Sequence, residues 1–252
     1  MRRTPVSSLT IAVCCIVALD ALLSTALAPL LPGLARTHHL NKVDSSLLVA
    51  GYYVGLASVA VPMIVFAPHI SRKGATRDGV LLLGLGTVVF ALASTFASLV
   101  IARWLQGAGA VMCWANASAW LVDATPAAER GRTIGFVAAM SSGGAVAGPV
   151  LGAVASTWGR TPTFVTVGGI AALLALVTAC FPEPSRPDHV APVAALFTQV
   201  QRRALALAVW LVSLPSLLLA SLGVLGPLAL SREGWGALGV GATYCCAALA
   251  GL

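Results

Sequence analysis

Residues 98–121 read SLVIARWLQGAGAVMCWANASAWL. The run is apolar over about the 20 residues that a helix needs to cross a bilayer. It nevertheless holds a permanent cation, Arg103, with Gln106 three residues later. Similar apolar runs occupy about 9–31, 46–67, 79–96, 133–155, 162–182, 204–229 and 234–252. Such blocks predict an all-α integral membrane protein with eight spans.

The composition agrees. Apolar residues make up 58% of the 252 and charged residues 9%, against roughly a quarter charged in a soluble domain. The net charge of +7 forms no basic stripe interleaved with aromatics, so no nucleic-acid partner is expected; the partner is the lipid bilayer. Cys14, Cys15, Cys113, Cys180, Cys245 and Cys246 all lie in apolar segments and form no CxxC or Cys/His spacing. They read as small hydrophobes, with no metal, no disulfide and no cofactor expected. No HExxH, no Ser/His pair within a span and no acidic cluster occurs, which argues against an enzyme.

The opening MRRTPVSSLTIAVCCIVALDALLSTALA has the basic start and apolar middle of a secretory signal. Its apolar run is longer than a signal core, Asp20 interrupts it and Pro29 follows it, so it reads as an uncleaved first span. With the N-terminus cytoplasmic, the inner segments carry Arg2, Arg3, Arg72, Lys73, Arg77, Arg130, Arg132, Arg186, Arg202 and Arg203, whereas the outer loops carry Arg36, Lys42, Arg160 and Arg232. That asymmetry supports the N-terminus inside.

Six spans return the chain to the inside. The stretch 183–203, EPSRPDHVAPVAALFTQVQRR, then reads as a cytoplasmic linker. The domain expectation is therefore a six-helix bundle over 1–182, the linker, and an incomplete second bundle over 204–252 holding helices seven and eight. This is the layout of a transporter with two six-helix halves, here stopping within the eighth helix. LDALLSTALAPLLPGLA at 19–35 also echoes LPSLLLASLGVLGPLAL at 214–230, with Pro32 and Pro227 at the same offset; chance similarity of two Leu/Ala-rich runs is the other reading.

Two ionisable residues fall inside the first bundle, Asp20 and Arg103. At about 1.5 Å per residue, Asp20 lies about 16 Å deep from the inner face and Arg103 about 7 Å below the outer one. The levels are close enough for an arginine to reach the carboxylate. Arg103 either faces the bundle interior and poises Asp20, or snorkels to the surface. Asp20 either pairs with it or hydrogen-bonds nearby backbone. Tyr52, Tyr53, Met112, Trp114 and Asn116 are candidates to line a cavity. Trp120 is assigned to the interfacial belt, and His38 and His39 to a solvated outer loop.

RWLQGAGA at 103–110 resembles the RxxQG motif of the major facilitator superfamily, with Arg103, Gln106 and Gly107 matching. GAVAGPVLGA at 144–153 resembles that superfamily's antiporter motif, GxxxGPxxGG: Gly144, Gly148, Pro149 and Gly152 match, and Ala153 replaces the last glycine. The loop 67–77, APHISRKGATR, is a degenerate form of its GxLaDRxGRR-like loop, keeping Arg72 and Gly74 but placing Ser71 at the aspartate position. DATPAAERGRTIG at 123–135 is also similar to this group.

The resemblance implies a major facilitator-like fold of the twelve-helix drug:proton antiporter branch. It implies proton-coupled export of small amphipathic molecules, with Asp20, Arg103 and Gln106 coupling protons to substrate. Gly107, Gly144, Gly148, Pro149 and Gly152 would form packing and bending faces. Arg72, Gly74, Arg77 and Asp123 would form a cytoplasmic latch. Import of a solute or sugar by the same fold, or a non-transporting fragment or scaffold, stand as alternatives. Transport is expected to need further C-terminal helices or a partner, in the plasma membrane.

Overall fold

The computed structural model describes residues 5–66, 70–182, 210 and 221–250. Helix α1 (Pro5–Thr25) and α2 (Leu27–Thr37) share one span. They are followed by α3 (Lys42–Phe66), α4 (Arg72–Leu92), α5 (Phe96–Ala124), α6 (Arg130–Trp158) and α7 (Arg160–Ala179). Residues 221–232 are helical (α8), and α9 is Ala237–Ala250. Six of the described segments are long and apolar enough to cross a membrane. The linker 183–203, and most of the run expected at 204–229, lie outside the described residues.

The break in the first span has a cause visible in its prolines. Pro29 has no N–H for the carbonyl of Thr25, and its ring crowds that carbonyl. The helix therefore interrupts at Ala26 and restarts at Leu27. The span also continues to Thr37, beyond the expected end near 31.

Short polar motifs make the turns. His39 adopts φ 52° at the end of α2, and Leu40 N–H reaches Ala35 O at 2.9 Å, the six-to-one bond of a Schellman turn. His39 thus serves the turn's backbone. Asn41 and Asp44 then cap α3 reciprocally, with Asp44 N–H on Asn41 Oδ1 at 2.9 Å and Asn41 N–H on Asp44 Oδ2 at 3.1 Å. Thr95 and Ser98 form a capping box at α5, satisfying donors that a helix start leaves free.

The six spans, with α1 and α2 counted as one, alternate direction. One end of the bundle, called the N-terminal end below, carries the starts of α1, α4 and α6 and the ends of α3, α5 and α7. Helix α5 is central and packs along α4 and α3, while α1 packs along α6, and α4 along α7. The main core gathers Leu23, Leu31, Leu48, Leu83, Leu99 and Phe164. Large apolar side chains such as Val61, Leu92, Phe136, Leu173 and Leu176 remain outward. That surface suits hydrocarbon, where no water penalises it.

At the N-terminal end, Trp120 is buried and stacks edge-on against Phe181 at 6.2 Å between centroids. This corrects its assignment to an interfacial belt: α1 and α6 cover it with Leu9, Val13 and Val137. Ser71 caps α4 by accepting the Gly74 N–H at 3.0 Å. Arg72 pairs with Asp123 at 2.8 Å, joining α4 to α5. Lys73 Nζ donates to Phe181 O at 2.6 Å, joining α4 to the end of α7. Arg77 pairs instead with its neighbour Asp78, since it lies more than a turn further along α4 than Arg72.

The Arg72 and Asp123 side chains are 35% and 27% exposed, so their pair is worth little. A double-mutant cycle with Arg72→Gln and Asp123→Asn should give a coupling of about 0.2–1 kcal/mol in thermal unfolding. The coupling should shrink in high salt.

Candidate functional site

The buried polar groups of the bundle converge on α5. Arg103 and Gln106 are three residues apart and so share one helix face, which points inward: they are 3% and 1% exposed. Arg103 Nη1 donates to Gln106 Oε1 at 2.9 Å and lies 3.4 Å from Leu23 O of α1. Gln106 Nε2 donates to Thr87 Oγ1 on α4 at 3.2 Å, and Thr87 donates to Leu83 O at 2.8 Å. The guanidinium therefore faces the interior and does not snorkel. Its Nε has no hydrogen-bond partner among the described residues.

Asp20 and Arg103 do not form the direct ion pair expected between them; among the described residues the ion pairs are Arg72–Asp123 and Arg77–Asp78. Tyr52 of α3 stands between them. Its hydroxyl donates to Asp20 Oδ1 at 2.6 Å. Its ring lies under the guanidinium, with Arg103 Cζ 4.9 Å from the centroid, a cation–π geometry. A chain of side chains thus runs from Asp20 through Tyr52, Arg103 and Gln106 to Thr87, crossing α1, α3, α5 and α4.

Gly107 seats this chain. A Cβ there would collide with Tyr52 O and lie 2.7 Å from Tyr52 C and 2.9 Å from Leu56 N. Only a glycine lets the α3 backbone approach α5 so closely. The last residue of the RxxQG pattern therefore sets the position of the tyrosine that links the first to Asp20.

The glycines of α6 pack against the opposite side of α1. A Cβ on Gly144 would collide with Ala18 O, on Gly148 with Thr25 Oγ1 and Leu22 O, and on Gly152 with Ala26 O. Pro149 has no N–H for Ala145 O. Thr25 Oγ1 lies 3.0 Å from that carbonyl and 3.0 Å from Ala21 O in its own helix, so one hydroxyl proton serves either acceptor. Thr25→Val should lower stability by about 0.6–1.7 kcal/mol, read as the thermal midpoint in detergent, and Thr25→Ser should restore most of it. Further along, Gly241 of α9 approaches Pro149 O and Ala153 Cβ, each 3.1 Å from an added Cβ.

The remaining candidates are dispersed. Tyr53 adjoins Tyr52 edge-on at 5.4 Å but is 53% exposed. Met112, nine residues beyond Arg103 and so roughly 13 Å along the axis, packs toward Gly79 of α4. Asn116 returns its amide to Met112 O at 2.8 Å. Trp114 lines an apolar hollow of about 140 Å³ between α5 and α6, with Leu121, Ile134 and Val137. A larger cavity of about 640 Å³ opens at the far end of the bundle among α2, the α6–α7 turn and the α8–α9 turn, beside Arg36, Ser156 and Trp235. Thr87 and Thr25 were not among the sequence candidates. The proline four residues after Ala145 was the only available signal for Thr25.

Comparison with known proteins gives consistent matches. The sequence profile described as Major Facilitator Superfamily matches residues 13–252. The multidrug resistance protein Stp of Mycobacterium tuberculosis (strain CDC 1551 / Oshkosh) is 31% identical over 157 residues, covering 62% of this chain and 29% of Stp. Multidrug resistance protein 2 of Bacillus subtilis (strain 168) is 26% identical over 153 residues, covering 61% of this chain and 38% of that protein. The chain thus spans well under two thirds of the length of these relatives. A crystal structure of a bacterial homologue of the human lysosomal transporter Spinster, inward-facing and unoccupied, shares the fold with a TM-score of 0.66 at 20% identity, covering 77% of this chain and 47% of that one. With its motifs on helices packed as described and its profile match over nearly the whole sequence, this multi-pass membrane chain belongs to the Major Facilitator Superfamily.

Proposed function

We propose that this chain forms the N-terminal bundle, over 1–182, and the first helices of the second bundle of a proton-coupled exporter of small amphipathic molecules. The observation that carries the reading is the buried polar chain from Asp20 to Thr87. An arginine within a span costs up to about 2.5–3.5 kcal/mol on insertion scales, the value at the helix centre. Hydrogen bonds between membrane helices return only about 0.6 kcal/mol each on average. Stability alone does not explain keeping Arg103 there, whereas poising a carboxylate does. Asp20 is half-buried, and among the described residues only Tyr52, on Oδ1, hydrogen-bonds it. It takes up a proton or a cationic substrate group in turn, and each occupant biases the rocking of the two halves.

The names of Stp and of the Bacillus protein, both multidrug resistance proteins, support export of drug-like molecules. The antiporter-type glycine face of α6 supports exchange. The basic residues at the N-terminal end support a cytoplasmic N-terminus, and the plasma membrane is the proposed location. No catalytic step is assigned, and the partners are the bilayer, protons, the substrate and the remaining helices.

The test uses inside-out vesicles and a lipophilic cation, tetraphenylphosphonium. Acidifying the lumen should drive the cation inward, against the outward flow of protons. Movement in the opposite sense would indicate an importer, and no movement at any gradient would favour the non-transporting reading.

A further inference from the structure

Tyr52 is held from four sides. Its hydroxyl is on Asp20 Oδ1 at 2.6 Å, and its ring is under Arg103 at 4.9 Å. Tyr53 meets its edge at an interplanar angle of 83°, and its backbone lies against Gly107. It is 4% exposed, so it lines no open cavity. A side chain so confined presents its hydroxyl in one direction, and Asp20 is its acceptor. A carboxylate has two oxygens; here Oδ1 is engaged and Oδ2 has no hydrogen-bond partner among the described residues.

We propose that Tyr52 is the positioning residue of the coupling site: it pins Oδ1 of Asp20, leaving Oδ2 as the oxygen that gains and loses the proton, and transmits that change to Arg103 through its ring. The proposal rests on Asp20 being the proton site. The titratable groups facing Asp20 are Tyr52 from α3 and Arg103 and Cys113 from α5. Helices α6 and α7, which also pack on α1, contain no carboxylate, histidine or tyrosine. With the Tyr52 hydroxyl proton on Oδ1, Oδ2 is the oxygen open to a carboxyl proton, and removing the hydroxyl opens both. When Asp20 is protonated at Oδ2 the Tyr52 bond to Oδ1 persists, but the charge that holds Arg103 over the ring is gone. The proton thereby acts on α5 without any direct Asp20–Arg103 contact.

The test needs no transport. The chain in lipid nanodiscs is treated with dicyclohexylcarbodiimide, which adds to protonated carboxyl groups in apolar surroundings, and the label on the Asp20 peptide is measured by mass spectrometry across pH. Tyr52→Phe keeps the ring and removes only the hydroxyl. At pH 7 it should raise the label on Asp20 by about threefold or more, while the protein still melts in one cooperative transition. Tyr53→Phe, which leaves the Asp20 bond in place, should label like the unmodified chain. A Tyr52→Phe profile that superimposes on the unmodified one overturns the proposal, as does an equal shift in Tyr53→Phe. Labelling of Asp20 that ignores pH in the unmodified chain overturns the reading of Asp20 as proton site, and the proposal with it.

Discussion

Asp20→Asn should reduce proton-driven exchange to the level of protein-free vesicles while the protein still folds and inserts. The amide has nearly the carboxylate's shape and still accepts the Tyr52 hydroxyl through its oxygen, so the packing of α1 against α3 and α5 is retained. What is lost is the charge. An amide does not take up a proton at working pH, so neither the driving ion nor a cationic substrate has an occupant site. Passive binding of an uncharged amphipathic molecule should persist, which separates this loss from unfolding. The measurement is pH-jump uptake in vesicles, with a thermal melt as the fold control. Exchange in Asp20→Asn at the unmodified rate would remove Asp20 from the mechanism.

Gly107→Ala should have the largest structural effect. The added carbon meets backbone atoms of Tyr52, which cannot swing aside as a side chain tip would. Helices α3 and α5 must separate, and overpacking of this kind costs about 1–3 kcal/mol. The separation also moves Tyr52 relative to Asp20 and Arg103, so exchange should fall together with the melting temperature. An alanine at Gly143, where an added Cβ has nothing within 4 Å, should leave both unchanged. That pair of variants separates a packing effect at the site from a general effect of losing glycine.

The two faces of the first span explain how a site and a packing motif can influence each other. Ala18, Leu22 and Thr25 lie on one face of α1 and meet the α6 glycines. Asp20 is two residues from both Ala18 and Leu22, about 200° around the helix, and meets α3. Helix α1 is therefore the element shared by the buried polar chain and the glycine face of α6. Its break at Ala26 lies next to Thr25, the residue that serves the carbonyl freed by Pro149.

The spans were readable because hydrocarbon demands long apolar runs, and Asp20 and Arg103 stood out because ionisable residues inside such runs are rare. Tyr52 was visible only as one of two adjacent tyrosines; which of them faces inward depends on the rotation of α3, and a helix apolar on all sides carries no stripe to fix that rotation. Thr87 was hidden for a different reason. Threonines within apolar helices commonly return their hydroxyl to their own backbone. Thr87 does so as well, and its second role, accepting from Gln106, depends on α4 lying against α5. The direct Asp20–Arg103 pair was inferred from depth along the two spans. Depth does not report the tyrosine that a third helix inserts between them. Trp120 was misplaced by the same logic, because nearness to a span end says nothing about which neighbours cover the side chain.

The most direct test of the account is proton release on substrate binding. The chain in lightly buffered nanodiscs, held near pH 7, receives tetraphenylphosphonium while a pH indicator is followed. The account requires the cation to displace a proton from Asp20, giving a saturable acidification that vanishes in Asp20→Asn and returns with the carboxylate. Saturable binding of the cation with no proton released, or with the same release in Asp20→Asn, would contradict it.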